Sequence, residues 1–212
     1  DDRDAWATAR WKRVRAKADD CLDANRYIAA EEHLDALQHV APYTSFQEET
    51  KAFVRRVRKQ ANTERDYRTV VRTATKAAKD LTQKRVRPSR GQEIAERIDK
   101  VETLYCKLYG TPSVPESPQI SGSAPALTVD QKLALAERLL TLAQHTETGP
   151  AEEILKTVQQ RADTLRSVEF TGTVTNALEI IEEYPEHPNV QHALESLLKK
   201  DPPFWSTPAR LR

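Results

Sequence analysis

The sequence predicts an all-α protein: antiparallel helical hairpins, as a short α-solenoid or bundle, followed by a small C-terminal helical bundle. Apolar residues recur at intervals of three and four along most of the 212 residues, the period of a helix with one buried face. No stretch alternates apolar and polar residues with the period of two that a half-buried strand needs. Proline and glycine fall between the periodic segments rather than within them.

Taken in order, Trp11, Val14, Ala18, Cys21 and Leu22 share one face of a first helix. Tyr27, Ala30, Leu34 and Leu37 follow on a second, which Pro42 ends. Phe46, Thr50, Phe53, Val54 and Val57 form a third stripe, and Tyr67, Val70, Val71, Ala74, Ala78 and Leu81 a fourth, read as two helices. Pro88-Ser89 opens a fifth, whose Ile94, Ile98, Val101, Tyr105 and Leu108 keep strict helical spacing until Gly110 stops it. Thr128 caps a helix carrying Leu133, Ala136, Leu139, Leu140 and Ala143, with Leu135 and Leu142 making it apolar nearly all round, as a central helix would be. Gly149-Pro150 starts the next, with Ile154, Leu155, Val158, Ala162 and Leu165. Two short helices follow, one with Val174, Leu178 and Ile181, the other with Val190, Leu194 and Leu197. Pro185 and Pro188 separate them.

This organisation divides the chain into a basic helical-hairpin domain (1–109), a Pro/Ser-rich linker (110–127), an acidic small bundle (128–200) and a Pro-rich tail (201–212). Residues 1–110 hold 24 Lys and Arg against 18 Asp and Glu, whereas residues 111–212 hold 9 against 14. Halves of opposite sign on either side of a proline-rich segment point to two units. The linker is read as a spacer, since Pro112, Pro115 and Pro118 favour extended backbone and Ser121-Gly122-Ser123 is flexible. Phe204 and Trp205 in the tail are expected to fold back onto a helix groove, with an anchor for a partner as the alternative.

Composition narrows the class. Apolar residues make up 38% and charged residues 31%, with a mean hydropathy of −0.70, so no window reaches the roughly 18 apolar residues of a membrane span. Cys21 and Cys106 lie in helical patterns far apart and are expected to be buried thiols in a reducing, cytoplasmic compartment. The absence of methionine fits a piece of a longer protein.

Residues 14–42 resemble one tetratricopeptide repeat, a helix–turn–helix of 34 residues. Measured back from Pro42, the family's apolar positions fall on Val14, Ala18, Cys21, Ala30, Leu34 and Leu37. Ala18 and Ala30 stand where that family keeps small residues for close helix approach. Val14, Lys17 and Cys21 depart from its usual Trp, Leu and Tyr. A shift of 34 residues places a second helical pair over 46–81 without the alanine pattern. The resemblance implies stacked hairpins and a binding role, and it carries over no functional residue.

The strongest functional signal is charge. Residues 51–90 hold fourteen basic residues and only the acids Glu64, Asp66 and Asp80, in a chain whose formal total is +1. Arg65, Arg68, Arg72, Lys76 and Lys79 recur at three, four, four and three, within an arc of about 80° on a helix running from Glu64 to about Lys84. Arg55, Arg58 and Lys59 are expected to flank this stripe from a neighbouring helix, together with Arg56. Lys84, Arg85, Arg87 and Arg90 follow in the loop. A solvated face is the plain alternative, but such faces usually mix signs. The expected partners are an acidic protein surface, either another protein or the chain's own segment 147–195 with ten acids against three bases, and a nucleic acid backbone.

Catalytic chemistry finds no support. No phosphate-cradling glycine loop, G-x-S-x-G or H-E-x-x-H occurs. Arg138 and His145, and again Arg26 and His33, have the spacing of the R-x(4–6)-H motif of HEPN ribonucleases, but Leu139 and Tyr27 stand where that family keeps a polar residue. His187 and His192 near Glu182, Glu183 and Glu186 are split by Pro188 and share no face. The sequence therefore reads as a non-enzymatic interaction or scaffold module without cofactor or metal. Backbone binding to nucleic acid through the same stripe is the alternative.

Overall fold

Apolar residues at helical spacing fold the described residues into helices. In the computed structural model, residues 2–38, 47–167 and 181–183 are described, and among them no residue lies in a strand. The helices are α1 (Asp2–Asp23), α2 (Tyr27–Gln38), α3 (Gln47–Ala78), α4 (Pro88–Tyr109), α5 (Val129–Leu142) and α6 (Gly149–Ser167), with a 3-10 turn at Lys79–Thr82 after α3. The fold is all-α, as expected. Pro42, the two helices read around Val174 and Val190, and the tail with Phe204 and Trp205 lie outside the described residues.

The chain forms two compact units, residues 1–72 with 100–112, and residues 73–99 with 113–212. The long helices α3 and α4 contribute to both, so this division falls within helices rather than at Gly110.

In the first unit α1 and α2 form a hairpin closed by an αL turn. Asn25 takes φ 54°, a conformation asparagine tolerates better than most residues. The amide of Arg26 donates to the Cys21 carbonyl at 2.8 Å and that of Asn25 to Leu22 at 2.9 Å, the paired bonds of a Schellman motif. Trp11, Ala18, Cys21, Ala30, Leu34, Phe53 and Val57 then form one core, with Trp11 and Phe53 edge to face at 5.7 Å. The Arg15 guanidinium lies over both rings and pairs with Glu49. Ala18 and Ala30 are fully buried in this core.

The N-terminus of α2 is capped from another helix. Arg26 precedes it and has no side-chain acceptor, yet the Ile28 amide donates at 2.8 Å to Oε2 of Glu64 on α3. A carboxylate at a helix N-terminus satisfies an orphan donor and meets the positive end of the macrodipole. The adjoining core is aromatic: Tyr67 is fully buried, edge-on to Tyr105 and Tyr109, and the Tyr27 hydroxyl donates to the Leu108 carbonyl at 2.6 Å. Gly110, at φ 85°, ends α4 in the left-handed region.

The second unit is organised around α5. Thr128 and Gln131 form a full capping box, each side chain accepting from the other's backbone amide. Leu135, Ala136, Leu139 and Leu142 are completely buried, and α6 packs Ile154, Val158 and Ala162 in the same unit. Residues 110–128 contain no helix, but their end is no free spacer: Ala126 and Leu127 are buried, and the Leu127 amide donates to Val86 at 2.8 Å. The Leu127 side chain occupies the space over Gly91, where a Cβ would come within 2.6 Å of its methyl groups. The spacer reading is corrected for these last residues because one apolar side chain finds a glycine-sized hollow on α4.

Candidate partner-binding surface

The basic residues singled out from sequence fall on one continuous 32-residue helix rather than on two neighbours. The third and fourth apolar stripes are one stripe, joined through Ala61 and Glu64, both buried. Arg55, Arg58 and Lys59 therefore extend the same helix as Arg65, Arg68, Arg72 and Lys76, and do not flank them from beside it. All seven are exposed, as is Lys79, which stands in the 3-10 turn and not in the helix.

The stripe positions themselves hold no acid, but ion pairs of the first unit engage two of them. Arg65 pairs with Glu31 of α2. Arg68 donates through Nε at 3.1 Å and Nη2 at 2.6 Å to Oε1 of Glu64, whose carboxylate is 3% exposed. These two arginines hold internal carboxylates in place while each stays about half exposed. Arg56 instead lies over the Phe53 ring at 5.3 Å. The side chains of Arg55, Arg58, Lys59 and Arg72 of this unit, and of Lys76 and Lys79 of the other, enter no ion pair or hydrogen bond among the described residues. The Glu48 carboxyl is held below its usual value by the Lys51 ammonium bonded to it and, more weakly, by the Arg55 charge.

Glu64 also acts on the aromatic core. Burial, and then the Glu64 charge, push the Tyr109 hydroxyl up to about 12, and the same two causes raise Tyr27.

In the second unit the loop cations are partly engaged as well. Arg90 bridges Asp80 and Glu93, and Arg97 pairs with Glu93. The Arg85 Nε donates to the Glu182 carbonyl at 2.6 Å, and Arg161 pairs with Glu183. Apart from residues 181–183, the acidic stretch beyond Ser167 lies outside the described residues, as do His187 and His192.

Two buried charges had only a positional signal in the sequence. Glu64 and Lys132 stand at core register, in line with Ala61 and Tyr67 and with Val129 and Ala136. Lys132 is 1% exposed and donates to the Gln83 and Lys84 carbonyls at 2.9 and 3.0 Å, closing the open end of the 3-10 turn. Burial pushes its ammonium down to about 8, against the opposing pull of Glu183. Arg138, one half of the R-x(6)-H match, is buried and pairs at 2.6 Å with Asp99, while His145 is exposed in the turn after α5. Cys21 is buried as expected but Cys106 is exposed, because it follows Tyr105 one step round α4 from the core row.

Among the described residues no group of three or more His, Cys, Asp and Glu is placed to hold a metal ion, and no helix is long and apolar enough to cross a membrane. No family model, curated protein or solved structure matches the chain.

Proposed function

We propose that the chain is a non-enzymatic interaction module, with stacked hairpins of tetratricopeptide type, that docks an acidic protein surface on the exposed basic face of α3 in a cytoplasmic setting. The observation that carries this reading is the contrast along one helix. Arg65 and Arg68 are neutralised by Glu31 and Glu64, whereas Arg55, Arg58, Lys59 and Arg72 stay exposed and without carboxylate partners among the described residues. Like charges on a helix face repel by a few tenths of a kcal/mol per pair, so a face kept free of acids is a cost that a partner offsets.

The test is charge reversal at residues that support nothing internally. Arg58→Glu with Arg72→Glu is the suitable pair, since reversing Arg68 would set a second carboxylate beside buried Glu64. Fluorescence anisotropy at about 50 mM salt, where surface charge is weakly screened, should show poly-L-glutamate binding to the native chain and not to the reversed one. Binding of a DNA duplex with no binding of poly-L-glutamate would replace this reading with nucleic acid recognition.

A further inference from the structure

Resting on that reading, we infer that the partner presented to α3 is itself an α-helix carrying a carboxylate at every seventh residue, laid lengthwise along the face. Lys51, Arg58, Arg65 and Arg72 stand seven residues apart, all on α3, all exposed and all in the first unit. Arg55, Asn62 and Thr69 fill the intervening steps at four and three, so the whole seam 51–72 contains no acid. Asp66 lies one step round the helix from Arg65, at the seam's edge. Lys51 pairs with Glu48, the next step of the seam toward the N-terminus, and Arg65 with Glu31 of α2 and Asn62, yet at 46% and 48% exposure both side chains stay open to a partner.

A seven-residue step advances about 10.5 Å along a helix axis, so the four cations form a row about 32 Å long. A second helix with one carboxylate per heptad advances by the same step. The two rows then stay in register over the full length, whatever the register chosen at the start. Seven residues fall about 20° short of two full turns, so the row drifts steadily round α3 with the hand of a left-handed supercoil. A partner helix coiling in that sense follows the drift, as flanking charges do in coiled coils.

A nucleic acid duplex fits this row poorly. Its phosphate strands wind once in about 34 Å, so a straight row of this length crosses a strand at one or two points and leaves the other cations unmatched. A disordered acidic chain meets the charge but gains nothing from the spacing.

The experiment uses the full chain and two synthetic helical peptides of identical composition. One carries glutamate at a single heptad position, the other carries the same glutamates distributed round the helix. Both are measured by anisotropy at about 50 mM salt beside poly-L-glutamate and a DNA duplex. The heptad peptide is expected to bind at least about tenfold tighter than the redistributed one, and Arg58→Glu/Arg72→Glu should abolish the difference. Circular dichroism confirms that the reversed chain keeps its helix content, and Arg58→Gln/Arg72→Gln, which removes charge without adding any, should give an intermediate loss. Equal binding of the two peptides overturns the helical partner and leaves the acidic-surface reading standing. Failure of both peptides and of poly-L-glutamate overturns both, with duplex binding then assigning the face to nucleic acid.

Discussion

Removing the Glu64 side chain tests whether one buried carboxylate holds α2 in place. Glu64→Ala deletes the acceptor of the Ile28 amide and the partner of Arg68 in one step. Loss of a helix N-cap costs about 1 kcal/mol. The Arg68 pair adds about 0.5–1 kcal/mol, the lower range for ion pairs being apt because Arg68 is 48% exposed. The buried methylene adds about 0.8 kcal/mol. Together these give a loss of about 2–3 kcal/mol, or a fall in Tm of roughly 4–12 °C for a chain of this size. Glu64→Gln keeps an oxygen for the Ile28 amide and loses only the charge, so its cost should be about half. Thermal and urea unfolding followed by far-ultraviolet circular dichroism measures both. Tyrosine absorbance supplies an independent readout: Tyr109 titrates near 12 through burial first and Glu64 second, so Glu64→Gln should lower it part of the way. A Glu64→Ala cost below about 0.5 kcal/mol would refute the cap, and an unmoved tyrosine titration in Glu64→Gln would refute the action of the Glu64 charge on Tyr109.

Two other predictions concern charge and packing. Lys132 falls from 10.5 to about 8 in the folded chain, so the unfolded chain binds the extra proton between those values and stability should rise across pH 8–10.5, by on the order of 1–3 kcal/mol. Tyr109 has the opposite sign, its folded value being raised from 10 to about 12, so its contribution is complete below pH 10 and is lost as pH climbs to 12. Urea midpoints should therefore peak near pH 10, and Lys132→Met should flatten the rising limb alone. Gly91→Ala should cost about 1–3 kcal/mol, because its Cβ meets Leu127 methyls at 2.6 Å. Leu127→Ala should cost about 2–5 kcal/mol, and a double-mutant cycle should show that the pair costs less than the sum.

Much of the fold was legible because most elements carry both a period and a punctuation mark. Ile94, Ile98, Val101, Tyr105 and Leu108 are all buried in α4, and Thr128 caps α5 with Gln131 as its partner. Reading only apolar side chains failed where a polar one holds core register. The gap between Val57 and Tyr67 looked like a break, yet Ala61 is small and Glu64 is satisfied by Ile28 and Arg68, so α3 continues. Leu127 was missed for a different reason: a lone apolar residue after Pro125 has no period, and the hollow that receives it is made by Gly91, thirty-six positions earlier. The candidate site was legible as composition but not as availability. Glu64 stands four residues before Arg68, a legible helical pair, but nothing in the spacing shows that Glu31 of α2 already claims Arg65.

That last distinction decides what the basic stretch means. A formal excess of charge counts every cation equally, but a cation that the fold has paired with a carboxylate offers a partner less than one it has left alone. Arg15, Arg65, Arg68, Arg90, Arg138 and Arg161 each hold an acid that helps fix one helix against another or brace a turn, and Arg97 holds Glu93 within α4. Removing any of them perturbs the scaffold first and the surface second. Arg55, Arg58, Lys59 and Arg72 hold nothing of this kind among the described residues. Their substitution should leave the Tm nearly unchanged while altering binding, which is the separation a recognition surface requires and a stabilising ion-pair network cannot give.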